Sequence, residues 1–424
     1  GVVDLDLATV FSQTAGNDLT INTTNAQANE NGGNVRLALF DDDSGNGQFV
    51  NRVSIDATPG TSGTAGSLTL NADVLLNNDG ATAQFVFTGN GNVVLSDDTS
   101  GNLLTIDTDN GNDATGGDIN LGEGTLDADA VDQGLFLDAR GATNGGAVSM
   151  GLVSNSGSGG QFLARFSAQS NGTGVINLDN NVSTDLSDSA TARTYLVNGG
   201  TQLQGVQLAG RVEIGADVVV DTDNTGTGDS VAGVVDLTGS TVFATSGQTA
   251  IDIGIDTSAA TSGGNVTVNL FDDDTTSDFV NTLDITTTDT GDASAPGRVT
   301  LLDDISLDDD NDDGDADADD GDDGDGVREA ASMTVTGGGN IVVAPTTGNL
   351  ITIDTQQGNT DDVAGGSVNF GTSEVSGDAA GRDLTIDVST TGADTNGAGT
   401  APNPDSGTVT LFTFGATGGF AIND

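Results

Sequence analysis

The chain has 424 residues, a formal net charge of −55, and no Cys, His, Lys or Trp. The charge excludes nucleic acid and anionic membranes as partners, since both would be repelled. The missing side chains exclude disulfide frameworks, thiol and Schiff-base chemistry, and most nucleophile–base pairs.

In chain order, apolar and polar residues alternate in short runs. Residues 2–7 (VVDLDL), 19–23, 35–40, 67–70, 84–87 and 103–108 come first. Residues 175–178, 212–220, 251–255, 266–271, 299–302, 341–343, 384–388 and 409–414 follow. A period of two in Val, Ile, Leu, Thr and Phe is a strand signal, and the Gly, Asn, Asp, Ser and Thr clusters between the runs supply turns. No window carries a capped stripe at helical spacing, so the chain reads as all-β. No apolar run approaches the roughly 18 residues of a membrane span, and no signal peptide is visible. A chain that opens on Gly1 reads as a processed product or as a fragment of a longer precursor.

Residues 1–165 and 233–417 repeat one text. GVVDL at Gly1 returns at Gly233, and GGNVRLALFDDD at Gly32 returns as GGNVTVNLFDDD at Gly263. FVN at Phe49 returns at Phe279, and GNLLTIDT at Gly101 returns as GNLITIDT at Gly348. The text divides into copy A (1–165), bridging coils (166–232) and copy B (233–424), with an Asp-rich insertion at 308–325. Repetition of this kind points to an array or solenoid and away from an enzyme, which needs one unique site.

A smaller unit recurs inside each copy: an LTID-like strand, a polar loop, Gly-Gly, and a second strand. LTINT at Leu19 precedes GGNVRL, LLTIDT at Leu103 precedes GGDINL, and LITIDT at Leu350 precedes GGSVNF. Spacings of about 30–34 residues suit one coil of a solenoid. The expected fold is therefore a parallel β-helix, a β-solenoid rod whose single inward row per strand accounts for only 34% apolar residues. Tandem β-sandwich domains are the alternative. The Gly-Gly pairs read as tight turns. This LTID…GGxVxLG text resembles the repeats of filamentous-haemagglutinin-like and autotransporter-like bacterial surface proteins. The resemblance implies a secreted or surface-attached β-helical protein and carries over no catalytic residues.

The acidic stretches are the candidate metal sites. Asp309, Asn311 and Asp313, followed by Gly314, match the first half of a calcium loop, with Asp320 at its twelfth position; Asp315, Asp317 and Asp319 continue the alternation. No helix flanks the loop, so an EF-hand is not expected. The competing reading is a solvated acidic tract. Asp41 and Asp43, and their counterparts Asp272 and Asp274, form a second pair of candidate loops, each between a Phe and FVN; a polar turn is the competing reading there. The expected cofactor is Ca2+.

Paired carboxylates could hydrolyse glycosides, but no pair stands out and aromatic residues are 4% of the chain. The sequence predicts a non-enzymatic extracellular or cell-surface structural protein, a segment of a self-assembling fibre, sheath or surface layer. Its expected partner is itself, end to end or laterally, with the end coils completed by another subunit or by more of the same polypeptide. A calcium-dependent adhesin for surfaces or polysaccharide is the alternative. Neither nucleic-acid binding nor membrane insertion is expected.

Overall fold

Each alternating run forms one side of a coil, because inward residues at period two can meet the equivalent residues of the coil above and below. The structure, a computed structural model, describes residues 1–14, 16–41, 49–77, 83–96, 103–110, 114–155, 161–185, 194–197, 200–223, 231–246, 251–272, 279–289, 296–308, 330–355, 366–389 and 407–414. Two compact units, Gly1–Val212 and Glu213–Asp424, divide the chain. Each is a parallel β-solenoid with three faces, and no helix occurs among the described residues.

In the first unit, one face stacks Val3–Asp4, Val35–Leu37, Leu68–Leu70, Val93–Leu95 and Leu126–Ala128. A second stacks Thr9–Val10, Leu39–Phe40, Val74–Leu75, Leu103–Asp107, Gly134–Asp138 and Arg165–Gln169. The third stacks Asp18–Asn22, Arg52–Asp56, Gln84–Thr88, Ile119–Asn120, Val148–Ser149 and Val175–Leu178. The second unit repeats this plan. Its first face runs through Val234–Asp236, Val266–Val268, Val299–Leu301, Ile341–Val343, Glu374–Gly377 and Thr413–Phe414. Its second holds Ser240–Ala244, Leu270–Phe271, Ile305–Ser306, Leu350–Asp354 and Asp383–Asp387. Its third holds Val218–Asp221, Asp252–Asp256, Thr282–Thr286, Ser332–Thr336, Ser367–Asn369 and Thr408–Thr410.

The textual duplication is thus a duplication of register. Val35 pairs Leu68, Leu68 pairs Val93 and Val93 pairs Leu126; in copy B, Val266 pairs Val299, Val299 pairs Ile341 and Ile341 pairs Val375. Parallel pairing of this extent rules out the sandwich alternative. The antiparallel strand pair among the described residues is the hairpin of Thr194–Val197 and Gly200–Leu203.

The core is a set of apolar columns whose members lie one coil apart. Val53, Phe85, Ile119, Val148 and Ile176 form one, and Ile253, Leu283, Met333 and Val368 another, nearly all fully buried. Burying each such side chain contributes roughly 1.5–3 kcal/mol, set against the cost of ordering the chain. Residues 35–40 and 266–271, expected as single strands, are each two strands on different faces. Leu37 and Phe40 both point inward although three residues apart, as do Val268 and Phe271. An odd spacing would put them on opposite sides of a flat strand, so the chain must turn a corner between them.

The LTID…GG motif marks the other corners, from third face to first after Asn22 and Asp256 and from second face to third after Asp107. The strand-final Asp or Asn accepts the N–H two residues on: Asn22 from Thr24, Asp107 from Asp109 and Asp256 from Ser258. The Thr between them is buried and clamps the start of the following strand. Thr23 Oγ1 donates to Gly33 O at 2.7 Å, Thr108 to Gly117 O at 2.7 Å, and Thr257 to Gly264 O at 2.8 Å. The second glycine of each pair does not have the positive φ of a tight turn. Its role is close approach: a Cβ on Gly33 would overlap the Gly1 carbonyl oxygen, on Gly66 that of Gly33, and on Gly91 that of Gly66. Gly264, Gly297 and Gly339 repeat the column in copy B. Coils about 4.8 Å apart leave no room for a side chain where backbone crosses backbone.

Candidate functional site

The corner between the second and third faces carries the acidic stretches. Asp41 and Asp272 follow Phe40 and Phe271 directly, are half-buried, and donate their N–H groups to Val10 O and Val242 O. Asp43, Asp274, Asp309, Asn311, Asp313, Asp315, Asp317, Asp319 and Asp320 lie outside the described residues. Among the described residues no three acidic side chains converge as a metal cluster would.

The sequence treats the two acidic stretches of copy B as separate loops, but the fold places their stems on one corner of adjacent coils. Phe271 pairs with Ile305 before the corner, and Val280 pairs with Leu307 at it. Copy A does the same with Phe40 and Val74, then Val50 and Leu76. The insertion therefore falls in the connection between Ser306 and Ser332, and the flanking strands keep their partners.

Sequence reasoning missed the buried polar residues at the floor of this corner. Asn51 and Asn281, the Asn of each FVN, are 8% and 1% exposed. Asn51 Nδ2 donates to Asp18 Oδ1 at 2.9 Å and Asn281 Nδ2 to Asp252 Oδ1 at 3.3 Å, both on the preceding coil. The Oδ1 atoms of Asn51 and Asn281 are buried without a hydrogen-bond partner. On the following coil the register neighbours are Asn77 and Asp308, also buried, whose N–H groups donate to Val50 O and Val280 O. Recurrence of FVN at one offset was the available signal.

Carboxylates also stack along the second face of the first unit. Asp107 and Asp138 are register partners, and Arg140 holds Asp138 through Nε at 2.8 Å and Nη2 at 2.6 Å. Burial pushes the Asp107 carboxyl up to about 6, with the charges of Asp138 and Asp109 adding to the shift; the Asp109 N–H and Arg140 oppose it. The Asp138 hydrogen bond raises the Arg140 guanidinium further above its ordinary range. In the second unit burial raises Asp221, whereas hydrogen bonds from the Ser389 hydroxyl and N–H lower Asp387.

A polar groove of about 550 Å³ crosses the first unit's third face. Thr88 and Asn90, Asn120 and Glu123, Ser149, and Asp179 and Asn180 line it on successive coils. Asn90 Nδ2 donates to Glu123 Oε2 across one step. Rungs about 4.8 Å apart present hydroxyl, amide and carboxylate groups along it. No protein-family model matches this chain, and neither any curated protein nor any solved structure matches it.

Proposed function

We propose that this chain is a non-enzymatic structural segment of a self-assembling extracellular fibre, sheath or surface layer, stabilised by calcium, whose end coils are covered by a neighbouring copy or by more of the same polypeptide. A kinship with the filamentous-haemagglutinin-like and autotransporter-like surface proteins belongs to the same reading. The contrast between interior and end coils carries it. Leu135 and Leu137 of copy A are fully buried beneath Arg165–Gln169, while their counterparts Leu384 and Ile386 lie on the second unit's last described coil and are only half-buried. On that coil Val409, Phe412 and Phe414 are exposed, and on the first unit's opening coil Val2, Leu7 and Phe11 are. Among the described residues these strands are paired on one edge only, and such strands with uncovered apolar residues are templates for a further coil. The negative charge and the oxygen-rich corners support a cation-rich setting.

Sedimentation velocity of the wild type and Val409→Pro in millimolar calcium tests this reading. Proline removes an edge N–H donor. The wild type is expected to form larger species as concentration rises, and the variant to stay at the mass of one chain. Identical sedimentation of the two would contradict it.

The groove supports a second reading, adhesion to a neutral polysaccharide whose hydroxyls would meet its rungs. Binding of neutral glycans that Asn120→Ala abolishes would favour this reading, and no binding by the wild type would remove it.

A further inference from the structure

We propose that Asn281 and Asp308 form the buried floor of a calcium site between two adjacent coils of the second unit, a site that copy A holds only in neutral form. This rests on the calcium part of the reading above and gives it specific ligands.

Hydrogen-bond capacity decides which way the Asn281 amide lies. A carboxylate only accepts, so the end of the amide facing Asp252 is Nδ2. Its Oδ1 is turned to the other arm of the amide, buried and without a hydrogen-bond partner. A desolvated carbonyl left in this way is costly and calls for a donor or a cation. The register neighbour on the next coil is Asp308, 3% exposed, which also offers only acceptors when ionised. The unpartnered Asn281 Oδ1, in register with a buried carboxylate and with little access to bulk water, is satisfied by a cation that the carboxylate's charge attracts. Asp272, half-buried beside the same stem, adds negative charge.

The oxygen character of the set selects a hard ion. Calcium accepts amide and carboxylate oxygens in irregular geometry and completes its six to eight ligands with water, whereas magnesium demands a near-ideal octahedron. Copy A is the internal control. Asn51 Oδ1 is equally orphaned, but its neighbour is Asn77, which carries its own donor and no charge. Exchange of Asn77 for Asp308 occurs at the position where copy B takes up its acidic insertion. The insertion thus follows a core position already altered to hold a positive charge.

Isothermal titration with CaCl2 tests the site in the full chain, with circular dichroism to check that each variant folds. Asp308→Asn is expected to weaken one class of sites roughly tenfold or more, the effect of losing a charged contact. Asn281→Ala is expected to weaken the same class. Asn77→Asp is expected to add a site in copy A, a gain that misfolding could not mimic. If the wild type binds calcium and all three variants match it, this floor is wrong while the calcium reading stands. If the wild type binds none, both fall.

Discussion

At each LTID…GG corner one threonine and one glycine fix the distance between coils. Thr257→Val keeps the side-chain shape but leaves the buried Gly264 carbonyl without the hydroxyl at 2.8 Å. It should cost about 1–2 kcal/mol in chemical denaturation. Gly264→Ala forces a methyl group into the Gly233 carbonyl oxygen, and neither backbone can yield without parting the coils. A loss on the order of 2–4 kcal/mol is expected. Gly239→Ala separates this cause from backbone conformation: its Cβ would meet nothing, but φ is +76°, so about 1–2 kcal/mol is expected. Asp107 gives a pH test. Its folded value, about 6, lies above the ordinary 3.8, so the folded chain holds the proton more tightly. That stabilisation is complete below the unfolded value and is lost as pH rises through about 6. Asp107→Asn should therefore be more stable than the wild type at pH 7, by on the order of 2 kcal/mol, with the difference vanishing near pH 4. Equal stability at both pH values would contradict the burial of that carboxyl.

The strands show how much of this architecture is legible from sequence. Alternation in LTID and VRL identifies inward residues, because their period is local. The corner inside residues 35–40 is harder to see: its trace is the odd spacing of Leu37 and Phe40, which has meaning only once a coil is assumed. The glycine pairs were visible, but their cause was not, since close approach depends on the coil above and a turn depends only on the residue itself. The acidic stretches were equally visible as composition. That two of them share one corner follows from pairings such as Phe271 with Ile305, which no local pattern encodes. Asn51 and Asn281 escaped because a buried amide looks like any other Asn in an Asn-rich chain. Placement of the insertion at a corner yields a further prediction. Replacing residues 309–330 with the 78–82 segment of copy A should leave the calcium-free melting temperature unchanged or higher. Shortening the connection between two strands that keep their partners costs little and removes mutual repulsion. A broadened, non-cooperative melt would show that the insertion is part of the core.

Across the whole molecule, charge is the strongest long-range influence. A chain at −55 repels itself at low ionic strength, so adding sodium chloride from about 0.01 M to 0.5 M should raise the melting temperature as the screening length falls severalfold. Millimolar calcium should do more than sodium at equal ionic strength, because bound ions neutralise where salt only screens. The proposed role joins both effects to the open end coils. A coil that exposes Val409, Phe412 and Phe414 gains by covering them, and repulsion between two such copies is the barrier that cations lower. Negative-stain electron microscopy of the purified chain, with calcium and then with a chelator, tests this most directly. Filaments or end-to-end strings of particles are expected in calcium, separating into single particles on chelation. Single particles under both conditions, at every concentration tried, would contradict the proposed assembly.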